Sequence, residues 1–191
     1  MGQPWFDVTD YLGYADDGIP GSTKANINST WEQNVDENFR VRWAIEESNN
    51  RLGFNKAYGF ECDKNGGGYS PVGAATTNVI FVLSGEYADE DADNVERVYQ
   101  GGMGFVGGVL CESSSVGDNA QIDFAGNDVW EIEACFQIVG ADVADGDIIK
   151  IRPTGDIDAW SNTAAMDANK GAPPVFVISE HYTSLQYSRR A

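Results

Sequence analysis

The chain has 191 residues, enough for one domain with a sizeable core, and 42% of them are hydrophobic. Asp and Glu number 30 against 12 Lys and Arg; the resulting charge of −18 repels phosphate backbones and makes free nucleic acid a poor partner. No apolar run approaches the roughly 20 residues that cross a bilayer, so no membrane partner is expected.

Residues 1–24 set Trp5, Phe6, Tyr11, Leu12 and Tyr14 among Gly, Asp and Pro20. This reads as an N-terminal arm, irregular or forming short strands, whose aromatics pack on something. Trp5, Phe6, Tyr11 and Tyr14 are therefore candidate interface residues. The first residues lack a basic start and an apolar centre, so no secretory signal is expected. Phe6 stands where a myristoylation signal has Ser or Thr. The expectation is synthesis in a cytosol. A folded domain is expected over 25–187, with a short tail at 188–191.

In Asn38–Glu47, Phe39, Val41, Trp43 and Ile45 alternate with Arg40, Arg42, Ala44 and Glu46, the pattern of an amphipathic strand. Ser48–Gly53 reads as a loop. Lys56–Cys62 alternates again, and DKNGGGYS after it is hairpin-turn chemistry. Asn78–Ser84 is a continuous apolar run, suited to a strand covered on both faces. Gly85–Glu96 is acidic and reads as an exposed loop, with calcium binding the alternative. Val95–Val106 has room for two short strands broken at Gly101-Gly102. Gly107–Asn127 is loop-rich.

The clearest pattern is Val129–Pro153. Trp130, Ile132, Ala134, Phe136 and Ile138 share one strand face, with Glu131, Glu133, Cys135 and Gln137 on the other. GADVADGD is a turn. Ile149 and Ile151 then oppose Lys150 and Arg152, and Pro153 is expected to end that strand. SNTAAMDAN has the composition of one helical turn, and Pro173–Tyr187 carries a last strand. Short strands separated by turn signals indicate an all-β fold, here a jelly-roll-like antiparallel sandwich of two sheets. Trp43, Ile132, Phe136 and Ile149 are expected to share its core, with Trp130 also on an apolar face. Trp5, Trp31 and Trp160 are the tryptophans available for exposure.

Chemistry is sparse in this pattern. The single histidine, His181, lies in the last strand pattern with no nucleophile motif near it. Cys62, Cys111 and Cys135 sit at unrelated spacings and make neither a disulfide framework nor a zinc knuckle. They read as isolated thiols, with one later-formed disulfide as the alternative. Asp142, Asp145 and Asp147 are calcium candidates by composition, but DVADGD departs from EF-hand spacing and Asp-Gly is ordinary turn chemistry. No cofactor is otherwise expected. Glu131 and Glu133 are the strongest enzyme lead, because one strand face carries both carboxylates. Jelly-roll glycosidases acting on β-glucans carry a related Glu-x-Asp-x-x-Glu strand, where paired carboxylates serve as nucleophile and acid/base. Here Glu133 replaces the central Asp and Phe136 the last Glu, so the acid/base is missing. The expectation is no enzyme, and an exposed polar face opposite the core.

Three blocks together carry a resemblance. They are STWEQNVDENFRVRWAIEESNN (29–50), FNKAYGFECDKNGGGYSPV (54–72) and IDFAGNDVWEIEACFQIVGADVADGDIIKIRP (122–153). In this order they resemble a β-sandwich domain of virion-associated proteins of tailed phages and prophages, over roughly Ala25–Pro153. The resemblance implies a building block of a virus particle: a capsid decoration protein, or a tail or fibre component. It carries no catalytic residues. It implies a major capsid protein or other virion proteins as partners, assembly in the host cytoplasm, and a homo-oligomer, for which a trimer is the expectation. The competing class is a carbohydrate-binding adhesin module, since similar sandwiches build lectins.

Overall fold

The computed structural model describes residues 6–19, 21–73, 78–85, 87, 92–93, 98–99, 101–111, 121–155 and 164–169. Trp5, Trp160, His181, Ser113–Ser115, the acidic residues Glu86, Asp89, Glu90, Asp91 and Glu96, the Pro173–Tyr187 strand and the 188–191 tail lie outside them.

Two sheets pack face to face in an all-β sandwich, and no helix forms among the described residues. The strands are β1 (Phe6–Ala15), β2 (Trp31–Asn34), β3 (Asn38–Glu47), β4 (Gly53–Lys64), β5 (Ser70–Pro71) and β6 (Val79–Phe81). They continue with β7 (Ala92–Asp93), β8 (Gly104–Cys111), β9 (Gln121–Phe124), β10 (Asp128–Ile138), β11 (Ile148–Gly155) and β12 (Ala164–Asn169). The first sheet runs β1-β3-β10-β8-β7, with β6 also on β10; the second runs β2-β12-β11-β4-β5, with β9 on β4. Pairing is mainly antiparallel, but β10–β8 and β12–β2 are parallel.

The alternation read from sequence sets the faces. From β3, Phe39, Val41, Trp43 and Ile45 enter the core; from β10, Ile132, Ala134, Phe136 and Ile138 join them. Ile149 and Ile151 of β11 close it from the second sheet, and Trp130 packs against its margin. Phe136 is the hub of an aromatic cluster, with ring centroids 5.9 Å from Phe39, 6.1 Å from Trp43, 5.5 Å from Phe60 and 5.3 Å from Phe81. Truncating it removes four ring contacts at once, so Phe136→Ala is expected to cost about 3–5 kcal/mol in urea unfolding. A loss under about 1 kcal/mol would show that this cluster does not hold the sheets together.

Within the segment read as an arm, Phe6–Ala15 form an integral strand of the first sheet. β1 pairs with β3 along its whole length, from Phe6 opposite Glu47 to Ala15 opposite Phe39, with a bulge between Val8 and Asp10. Phe6, Val8 and Tyr11 belong to the main core. The chain then covers its own edge: Lys24 N donates to Gly13 O, Asn28 N to Tyr11 O, and Asn28 Oδ1 accepts from Tyr11 N. This satisfies backbone groups that an open edge strand would leave as a template for pairing. The crossover delivers Trp31 of β2 onto Gly13 of β1. A Cβ on Gly13 would lie 2.8 Å from the Trp31 ring, so only glycine admits this contact between the sheets. Trp31, one of the three tryptophans available for exposure, is buried.

Three further expectations change. Ala164–Asn169, read as a helical turn, is strand β12, where Met166 and Ala168 point into the core. The apolar run 78–84 yields only the short β6, and Leu83 emerges into solvent. β11 continues through Pro153, which pairs with Phe60. Among the described residues β12 pairs with Ile148–Ile151 and does not reach Pro153, a position where a missing donor is tolerated. The expected hairpin turn is present, with Asn65, Gly66 and Gly68 at positive φ.

Candidate functional site

The outer face of the first sheet carries Arg40 and Arg42 on β3 and Glu131 and Glu133 on β10. Alternation fixes this placement, because each is one residue from a core side chain. Antiparallel register sets Glu133 directly opposite Arg42, with Arg40 and Glu131 on the diagonals. Glu131 and Glu133, expected on an exposed face, are buried, as are Arg40, Arg42 and the side chain of Asp16.

The charges interlock. Arg42 reaches Glu133 Oε2 at 2.5 Å through both Nε and NH2, and Glu131 Oε2 at 3.2 Å through NH1. Arg40 NH1 donates to Glu133 Oε1 at 2.5 Å, its NH2 donates to Ala15 O at 2.9 Å, and its Nε lies 3.5 Å from Asp16 Oδ1. Tyr14 lies beneath both guanidinium groups, 5.4 Å from Arg40 and 5.8 Å from Arg42, and Tyr87 faces Arg40 at 5.0 Å. Desolvated charges of this kind persist only when paired and hydrogen-bonded.

The lattice also holds the layer that buries it. Glu131 Oε1 accepts from Val98 N at 2.7 Å and Tyr99 N at 3.0 Å. Asp16 accepts from Ser84 Oγ at 2.6 Å and Gly85 N at 3.0 Å. Beside the ions a second apolar cluster forms from Leu12, Tyr14, Ala44, Val98, Tyr99 and Val129. At the far end of β3, buried Glu47 accepts from the backbone N–H groups of Asn49, Arg51 and Asn127, tying two loops together. That role had no sequence signal. The lattice did have one: Arg-x-Arg and Glu-x-Glu stand on the polar faces of two amphipathic strands.

Each oxygen of Glu131 and of Glu133 accepts a hydrogen bond from the protein. Phe136, where the glycosidase pattern has its last carboxylate, belongs to the core. What this arrangement does is neutralise charge and pin backbone.

The candidate interface residues are not brought together on a surface. Phe6 and Tyr11 lie in the main core and Tyr14 under the arginines, so none of the three is available for docking; Trp5 lies outside the described residues. Nor do Asp142, Asp145 and Asp147 converge, and no three acidic, cysteine or histidine side chains among the described residues could hold a metal ion. Asp147 instead closes its own turn, accepting from Ala144 N and from Asn65 Nδ2.

Cys62 and Cys135 are both buried. Burial pushes the Cys62 thiol up from 9.0 to about 11, against a smaller opposing pull from a backbone hydrogen bond with Val79. Alkylation of Cys62 near pH 8, followed by mass spectrometry, is expected to be at least about a hundredfold slower in the folded protein than in the unfolded chain. The thiol binds its proton more tightly in the folded state. Its contribution to stability is therefore full below pH 9.0 and is lost as the pH rises through about 11. Equal labelling rates in urea and in buffer would contradict the burial.

Comparison with known proteins returns no match to a family model, a curated protein or a solved structure.

Proposed function

We propose that the protein is a structural component of a tailed-phage particle, a decoration protein on the outside of the capsid, and not an enzyme. The observation that carries this reading is the use to which its charged strand residues are put. The carboxylates with the look of a catalytic pair are acceptors in a closed lattice that stiffens the sandwich and fixes a second layer on it. The sequence blocks that resemble virion sandwich domains supply β2–β5 and β9–β11, the frame of that scaffold. The charge of −18 favours a place outside the shell, since a protein facing packaged DNA gains from the opposite sign.

The test is attachment. Purified protein is added to particles that lack it and sedimented with them, while its mass is measured free in solution. The expected result is co-sedimentation of an oligomer, a trimer by this reading. A monomer that ignores particles and binds a glycan array would replace the proposal with an adhesin.

A further inference from the structure

Leu83 is 75% exposed, the most exposed large apolar side chain of the described residues. Its backbone is nevertheless held on both sides. Val82 N donates to Cys135 O, Leu83 O accepts from Asn38 Nδ2, and Ser84 Oγ and Gly85 N both donate to Asp16. A leucine presented on pinned backbone loses little conformational freedom when it is covered.

Asp16 and Asn38, which hold the backbone of this segment, also line an open groove of about 470 Å³ together with Ala15, Asp17, Lys24 and Glu37. Asn38 belongs to both, lining the groove and holding the Leu83 carbonyl. On the 16–22 loop, Ile19 is 60% exposed, and its N–H donates to Asp17 of the groove wall. The backbones of two exposed aliphatic residues are thus each one hydrogen bond from a groove in which Asp16 is already paired with Arg40, leaving the carboxylates of Asp17 and Glu37 beside one lysine.

We infer that this end of the sandwich docks a basic, leucine-bearing segment of another protein: an apolar residue covers Leu83 and a lysine or arginine enters the groove. Charge selects the occupant. A second copy of a chain with net charge −18 is repelled from a carboxylate-lined groove, whereas a cationic segment is attracted. The inference rests on the virion reading for the identity of that protein, a shell or neighbouring virion subunit, but its test contains no particle.

The full chain, labelled for NMR, is titrated with a short peptide alternating lysine and leucine, and separately with the glutamate–leucine counterpart. The expected result is amide shifts confined to 15–24, 37–38 and 83–85 with the basic peptide alone. Leu83→Asp separates docking from general attraction, because it makes the protein more acidic. A non-specific contact would strengthen in that variant; the docking proposed here weakens about tenfold or more. Leu52→Asp, at the opposite end of β3, leaves binding unchanged. Shifts spread over the whole surface, binding that survives Leu83→Asp, or no binding would each overturn the inference. None of these results bears on co-sedimentation with particles, so the two readings fail separately.

Discussion

Glu133→Ala is expected to destabilise the protein by about 3–5 kcal/mol, the cost of breaking a buried ion pair from one side. Glu133 is the carboxylate shared by both arginines, accepting from Arg40 on one oxygen and from Arg42 on the other. Its removal leaves two guanidinium groups in a site with little water, with Glu131 and Asp16 as remaining anions. The penalty is the desolvation of unpaired charge more than the lost attraction. An internal control lies on the second sheet, where Arg152 pairs with Glu61 at 2.9 Å with both side chains partly exposed. Glu61→Ala should cost no more than about 1 kcal/mol. Urea unfolding of both variants checks the contrast. Equal small losses would mean that the lattice is solvated and the covering layer open.

Deleting Met1–Gly18 is expected to abolish folding. The deletion takes Phe6, Val8 and Tyr11 from the main core and Leu12 and Tyr14 from the second cluster. At about 1.5–3 kcal/mol for each side chain, the loss is roughly 7–15 kcal/mol, comparable with the whole stability of a domain. It also uncovers the β3 edge along the Phe6–Ala15 register and strips the Tyr14 ring from beneath the arginines. The truncated chain should show no dispersed amide spectrum and no cooperative melting. A truncated protein that melts within a few degrees of the full chain would restore the reading of this segment as a separable arm.

The contrast between β1 and β3 explains what the sequence made legible. β3 alternates without interruption, so its bounds and both faces follow from spacing alone. β1 holds equally apolar residues, but the bulge between Val8 and Asp10 shifts the parity, so Phe6 and Val8 no longer alternate in step with Tyr11. The strand then looks like scattered aromatics. β12 is hidden differently: Met166 and Ala168 enter the core, but Ala-rich composition mimics a helix. The buried lattice was half legible. Spacing put arginines on one polar face and glutamates on another, but burial depends on Tyr87, Val98 and Tyr99, which come from stretches with no period of their own. Polarity alone argued for exposure, and the register that pairs these charges cannot be read from either strand by itself.

Whether this sandwich is a building block of a particle is decided by imaging. Cryo-electron microscopy of phage particles, with and without a label on this protein, locates it. The expected result is label density on the outer surface of the capsid, fitted by a two-sheet sandwich with the Leu83 end turned toward its neighbour. Particles without the protein, or label confined to a tail fibre, would contradict it.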